Sequence, residues 1–224
     1  KLKFKKFIEN DEFKWFVCAI PFLLLIIFPL VNQVSENNLE TSFRHALFQI
    51  VSIMTGTGYS NADFTTWGAF ATFIFFLLMF SGASAGSTTG GVKIVRIGLL
   101  IKNTALEFKR RLHPNAIIPV QLNGKGVSPK IIYNLLAFVF FYLFVFVTGS
   151  IALTFIGLDF QDAVGASATA ISNVGPGIGS VGPSASFAHL PDAAKWVLSF
   201  LMILGRLELF TIAILFTPYF WRRN

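Results

Sequence analysis

Two short polar runs hold the residues best placed to do chemistry: Thr55-Gly56-Thr57-Gly58-Tyr59-Ser60 and Ser172-Asn173-Val174-Gly175-Pro176-Gly177. Neither contains a carboxylate pair or a nucleophile beside a base. What both offer is backbone. Glycine reaches angles that other residues resist, and an extended segment whose carbonyls turn toward an axis can replace the hydration shell of a cation. The residues ahead of each run have helical periodicity. Phe43, Ala46, Leu47, Ile50, Val51 and Met54 recur at that spacing, with Thr41 or Ser42 as N-cap, and Phe160, Val164, Ala168 and Ile171 follow the same period behind Asp159. Each short helix would aim its partly negative C-terminal end at the run that follows, so the expected cargo is a cation.

The elements that must position these runs repeat. A shift of 117 residues lays Phe43 on Phe160, Ala46 on Ala163, Thr55 on Ser172 and Gly58 on Gly175. The chain therefore reads as two copies of one unit, made of span, short helix, glycine-bearing loop and span. Composition agrees with a bilayer: 54% of the 224 residues are apolar, 16% aromatic and 13% charged, against about one-quarter charged in soluble domains. Residues 15–31, 64–92, 131–158 and 209–221 carry no charge, the last continuing a run from Trp196. About 20 apolar residues suffice to cross, with the last run counted as part of an interrupted helix. The first run ends in Pro29-Leu30-Val31-Asn32 without a small-residue cleavage site, unlike a cleavable signal.

Fifteen of the eighteen Lys and Arg residues lie within 1–14, 93–130 and 222–223. Four crossings put all three segments on one side, which is the positive-inside pattern with both termini cytoplasmic. The net charge of +7 is thus a topology signal, compatible with acidic lipid headgroups, and nucleic acid is not expected. Cys18 stands alone, so no intrachain disulfide is possible, and His45, His113 and His189 lack metal-ligand spacing. With no paired carboxylates in a span and no Ser/His/Asp arrangement, an enzyme is not expected.

These residues resemble the Trk/Ktr/HKT superfamily of potassium uptake channels and transporters, with the bacterial Trk membrane subunit the best match. The resemblance is carried by Thr57-Gly58-Tyr59, by Asn173-Val174-Gly175-Pro176-Gly177, by the run from Ser81 to Gly91 and by Gly205-Arg206-Leu207-Glu208. It implies an all-α integral membrane fold of two tandem span/pore-helix/filter-loop/span repeats, potassium-channel-like, these being the third and fourth of four around one pore. The third unit occupies 1–112, with span 13–31, pore helix 42–54, filter 55–60 and a second span 67–111 interrupted at 81–91. The fourth occupies 113–224, with span 128–156, pore helix 160–171, filter 172–177 and second span 192–219. On this reading the filter comprises Thr55, Gly56, Thr57, Gly58, Tyr59, Ser172, Asn173, Val174, Gly175 and Pro176, with potassium at Thr57, Gly58, Asn173, Val174 and Gly175. In this superfamily a glycine at the filter centre goes with potassium and a serine with sodium permeation.

The run from Ser81 to Gly91 has no side chain larger than threonine and makes a poor helix, each glycine costing about 1 kcal/mol relative to alanine. The resemblance implies a mobile gate under the filter, formed by Gly82, Gly86, Ser87, Thr88, Thr89, Gly90, Gly91 and Arg206. The alternative is a helix whose Gly82, Gly86 and Gly90 make a small-residue packing face. A phosphate loop is excluded, since Lys93 lies between Val92 and Ile94. Arg206, midway along the last apolar run, is expensive there and reads as a pore-facing barrier that pairs with polar groups of the gate. Glu208, two residues on, is assigned to packing or an interface.

The expected function is potassium uptake across the bacterial inner membrane through a gated, channel-like pore with a backbone-carbonyl filter. The alternatives are an ion-coupled secondary cation carrier, built from broken helices and repeats, and an inert structural half. Potassium is the substrate and no organic cofactor is expected. Two units cannot complete a four-part filter, and a start at Lys1 fits a fragment or excised half. The missing loops come from a separate N-terminal two-repeat piece or from a second copy. Expected partners are therefore the N-terminal two pore-loop repeats, a homodimer mate, membrane lipid and, from the resemblance, a cytoplasmic nucleotide-binding regulatory subunit docked on residues 93–111.

Overall fold

Asn10 opens the first long helix, α1 (Asp11–Val34), its side-chain oxygen accepting from the N–H groups of Glu12 and Phe13. The computed structural model describes residues 9–35, 38–116, 118–207, 209–215 and 218–221. Glu208 and the terminal basic residues Lys1, Lys3, Lys5, Lys6, Arg222 and Arg223 lie outside them. α1 has 24 residues and is roughly 36 Å long, enough to cross a hydrocarbon core of about 30 Å. α2 (Leu39–Thr55) doubles back against it. A 3-10 turn (Phe64–Trp67) and α3 (Ala69–Met79) follow.

From Phe80 to Lys93 the chain is not helical. β1 (Ser81–Gly82) pairs in parallel with β2 (Val92–Lys93), closing the small-residue run at its base. Gly82, Gly86 and Gly90 therefore share no helical face, which removes the packing-helix alternative. The basic helix α4 (Ile94–Leu112) comes next, then a hairpin of β3 (Gln121–Leu122) and β4 (Lys125–Gly126). Asn123 and Gly124, at φ 51° and 74°, supply the two left-handed residues that a tight hairpin turn needs.

α5 (Pro129–Ile156), 28 residues and roughly 42 Å long, is the second helix able to cross a bilayer. Proline opens it and Gly157, at φ 109°, ends it. α6 (Phe160–Ser172) leads through turns at Gly179–Val181 and Phe187–His189 to α7 (Asp192–Arg206). The last apolar stretch is divided more than the sequence pattern conveys: α7 stops at Arg206, Leu207 is a turn, and the described helix beyond it comprises α8 (Leu209–Leu215) and α9 (Pro218–Trp221).

The start of α2 departs from expectation. α2 begins earlier than Thr41, because Asn38 is its cap and accepts from Thr41 N–H at 3.1 Å. Ser42 lies inside the helix and donates to Asn38 O at 2.7 Å. The apolar stripe on α2 is split between core and surface, with Ala46, Ile50 and Met54 buried. Phe43 is exposed and Leu47 and Val51 are half-buried, while Ser42, Gln49 and Ser52 are buried; Phe160 on α6 is likewise exposed. A protein whose outer surface meets hydrocarbon can turn apolar side chains outward and polar ones inward, so periodicity marks a face without saying which way it points.

Two cores form, one around Ile27, Ile50, Ile53, Phe64 and Phe75, the other around Tyr142, Leu153, Ile171, Leu198 and Leu201. Phe80 joins them, its ring 5.0 Å from Phe146 and 6.2 Å from Tyr142, both edge-on. Close backbone approach fixes the second unit. A Cβ added to Gly149 would lie 2.7 Å from Leu201 Cδ1, and one added to Gly205 would lie 1.8 Å from Ile171 O. Gly205→Ala is therefore expected to force α7 off α6 and cost about 2–3 kcal/mol, the upper range for overpacking; a lowered thermal midpoint in detergent, absent for alanine at the exposed Ser199, checks it.

Candidate functional site

The two glycine-bearing runs begin at matching helix ends. α2 stops at Gly56, φ 68°, whose N–H donates to Ile53 O at 3.0 Å, while Thr57 N–H reaches Ser52 O at 2.9 Å. α6 stops at Asn173, φ 56°, whose N–H donates to Ala170 O at 3.2 Å, while Val174 N–H reaches Thr169 O at 3.1 Å. Each donor and acceptor in the second set lies 117 residues after its counterpart in the first. Both are left-handed caps that satisfy helix-terminal carbonyls. Asn173 adopts the left-handed conformation without being glycine, and its side-chain amide donates to Met202 O on α7 at 3.1 Å.

Past the caps the runs meet. A Cβ placed on Gly58 would fall 1.8 Å from Val174 O, and one on Gly175 would lie 3.8 Å from Gly58 O and 3.9 Å from Gly58 Cα. Gly58 and Gly175, at φ 76° and 119°, thus stand backbone to backbone. Ser52 Oγ donates to Tyr59 O at 2.6 Å and Thr169 Oγ1 accepts from Gly175 N–H at 2.9 Å, so each run is tied to the helix before it. Thr55 and Thr57 hydroxyls lie 2.7 Å apart. Tyr142 OH and Ser172 Oγ meet at 2.7 Å in a buried contact across to α5. Val174 and Pro176 are buried, whereas Thr57, Tyr59 and Gly175 are exposed.

The small-residue run passes against both caps. A Cβ on Gly56 would lie 2.9 Å from Thr89 Cγ2, and one on Gly90 would lie 2.5 Å from Ser172 O. Gly82 abuts Gly90 O in the same way at 2.6 Å. Gly90 and Gly91 are buried, while residues 84–86 and Thr88 are exposed and nothing lies within 4 Å of where a Gly86 side chain would begin. Two cations reach this run. Lys93, buried, donates through Nζ to Thr89 O, and to Thr89 Oγ1 at 3.3 Å. Arg206, the last residue of α7, reaches Thr88 Oγ1 through Nη2 at 3.5 Å.

All the expected site residues but Arg206, at the end of α7, thus lie on the two helix ends, the runs beyond them or the loop pressed against them. Lys93, Thr169, Tyr142 and Gly205 were not singled out for such contacts. For Lys93 a signal existed, a lone cation ending a charge-free run just after Gly90-Gly91. The others are set by contacts between distant residues. Among the described residues no group of three or more His, Cys, Asp or Glu side chains gathers as a metal site.

The family model of TrkH, described as a cation transport protein, matches residues 8–223. This chain belongs to the TrkH family. It is a membrane protein of a transport family, not an enzyme. The potassium uptake protein TrkI of Halomonas elongata is 39% identical over 204 residues, covering 90% of this chain and 42% of that protein. TrkH of Escherichia coli is 35% identical over 221 residues, covering 97% and 45%. The chain therefore spans a little under half the length of these curated relatives. The crystal structure of the potassium transporter TrkH from Vibrio parahaemolyticus superposes with a TM-score of 0.90 at 37% identity, covering 97% of this chain and 46% of that one. The mostly helical membrane architecture is thus shared.

The close passage of Gly90 makes the seating of the loop testable. Gly90→Ala puts a methyl into the Ser172 carbonyl, so the loop is expected to lift away from both caps. Thiol labelling of Ser87→Cys in that background should rise about tenfold, as for a shift of about 1.4 kcal/mol; equal labelling with glycine and alanine at position 90 would refute the seating.

Proposed function

We propose that this chain supplies two of four pore-loop units lining a gated, channel-like path for potassium uptake across a bacterial inner membrane. The observation that carries this reading is the close backbone approach of Gly58 to Val174, beside Gly175, at the ends of two equivalent helices, in a family of cation transport proteins. Two helix C-termini aimed at one place favour a cation there, and peptide oxygens at glycine-permitted angles can replace its water. Thr55, Gly56, Thr57, Gly58, Tyr59, Ser172, Asn173, Val174, Gly175 and Pro176 form this chain's share of the filter, with potassium held at Thr57, Gly58, Asn173, Val174 and Gly175. The relatives are named as potassium uptake proteins and a potassium transporter, which supports potassium as the substrate.

The loop of Gly82, Gly86, Ser87, Thr88, Thr89, Gly90 and Gly91, with Arg206 beside it, is the gate. Its small residues leave little apolar surface to hold it, and Arg206 adds a positive barrier. The missing half of the pore comes from the remainder of the assembled protein, in a homodimer embedded in lipid. The termini and the exposed basic end of α4, carrying Lys109 and Arg111, face the cytoplasm, where that end receives a nucleotide-binding regulatory subunit.

The two glycines differ as probes. Gly58 has no room for a side chain, so Gly58→Ser is expected to cost assembly. At Gly175 an added Cβ would come no nearer than 3.8 Å to any atom beyond its chain neighbours, leaving a strain of about 1–3 kcal/mol at its positive φ. Gly175→Ser should assemble and raise sodium uptake relative to rubidium severalfold; an assembled variant of unchanged selectivity would reject the filter assignment. Removing residues 84–89 should raise rubidium flux at unaltered selectivity, and flux that stays the same in a folded deletion would reject the gate.

A further inference from the structure

The tip of the gate loop, residues 84–86, is exposed, so packing does not fix it. Polar groups from other elements hold the run instead: Lys93 on Thr89, Arg206 on Thr88, and a third contact from α1. Glu12 Oε1 accepts a hydrogen bond from Ala85 N–H at 2.5 Å, across 73 residues of chain. The acceptor is a carboxylate, which makes the bond charge-assisted. Asp11, beside it, is bound elsewhere. Its N–H donates to Asn123 Oδ1 at 2.7 Å, and its Oδ2 accepts from Asn123 N–H at 3.1 Å and from Lys102 Nζ at 2.9 Å. Lys102 also donates to Gln121 O at 3.2 Å and lies 4.8 Å from the Trp15 ring centroid. The first turn of α1 is thus gripped on one side by α4 and the β3–β4 hairpin, and on the other grips the tip of the loop.

We propose that Glu12 is a positioning residue that keeps the loop seated beneath the two glycine turns, and that the first turn of α1 relays movements of the hairpin and α4 to it. This rests on reading residues 81–91 as a gate. A contact made only in the seated state shifts the seated–open equilibrium by its own strength, and its loss moves the population toward open by the same factor. The hairpin and the basic end of α4 lie on the side assigned to the cytoplasm, so a protein docked there reaches the gate through Asp11 and Glu12 without touching the pore.

Rubidium uptake by the assembled protein in liposomes tests this. Glu12→Ala is expected to raise basal flux about tenfold, the worth of a modest hydrogen bond to a charged group. Glu12→Gln, which keeps an acceptor oxygen without the charge, should raise it less. The deciding experiment pairs Glu12→Cys with Ala85→Cys in a background without other cysteines, Cys18 included. Joining them with a short disulfide-forming bifunctional linker should lower flux below that of the unlinked pair, and reductant should restore it, a reversal that a merely structural residue would not produce. Flux indifferent to linking, while removal of residues 84–89 still raises it, overturns the role of Glu12 and leaves the gate standing. If that deletion also changes nothing, the gate reading falls and this inference with it.

Discussion

A helix that ends inside a protein leaves carbonyls with nothing to accept from, and the arrangement around the glycine turns follows from meeting that need twice. At the ends of α2 and α6, Ser52, Met54, Thr169 and Ser172 are buried, so water is not the partner. The left-handed caps at Gly56 and Asn173 return two N–H groups to each terminus. Once the chain has reversed there, the next residues must run back across the helix end, which brings Gly58 and Gly175 to each other. The negative ends of both helices then lie close to one small region of bare backbone.

Carbonyls the caps leave over are met by close approach. Gly205 presses on Ile171 O and Gly90 on Ser172 O, each too closely for a side chain to stand between. That requirement explains why glycine stands at both places, and why α7 and the small-residue loop are drawn to the foot of α6. It also explains why the loop has almost no side chains: anything bulkier at Gly82 or Gly90 would strike backbone. A segment stripped in this way buries little apolar surface, so polar contacts from Lys93, Arg206 and Glu12 set its position. Such contacts are a few hydrogen bonds, each worth about 1–3 kcal/mol when charged, and a segment held by so few can move on modest changes in its surroundings.

Much of this was legible in the chain. Long uncharged runs gave α1 and α5, and the 117-residue shift located two short helices whose last residues, Thr55 and Ser172, match under it. The poor helical character of Ser81 to Gly91 gave the break between α3 and α4. What was not legible depends on partners distant in sequence. The period of α2 does not tell that Ala46, Ile50 and Met54 are buried while Phe43 is exposed and Leu47 half-buried. Asn38 was overlooked as a cap because Thr41 and Ser42 stood nearer the periodic stretch. The reach of Glu12 to Ala85 and of Lys93 to Thr89 depends on how α1 and β2 sit against the loop, which no local pattern encodes.

The two units also diverge where their neighbours differ, and the divergence has a steric cause. Gly56 and Asn173 occupy equivalent caps, yet one has no side chain and the other a polar one. In the first unit the chain 81–91 is a loop, and Thr89 reaches the position where a side chain on Gly56 would begin. In the second unit the same shift leads to residues 198–208, of which 198–206 are the end of α7. A regular helix cannot send a residue under the cap as the loop does, so the place is open, and the amide of Asn173 fills it and binds Met202 O. Glycine at one cap is therefore the complement of an intruding loop, and asparagine at the other the substitute for one, so the cap that lacks a side chain is the one that a loop, not a helix, passes.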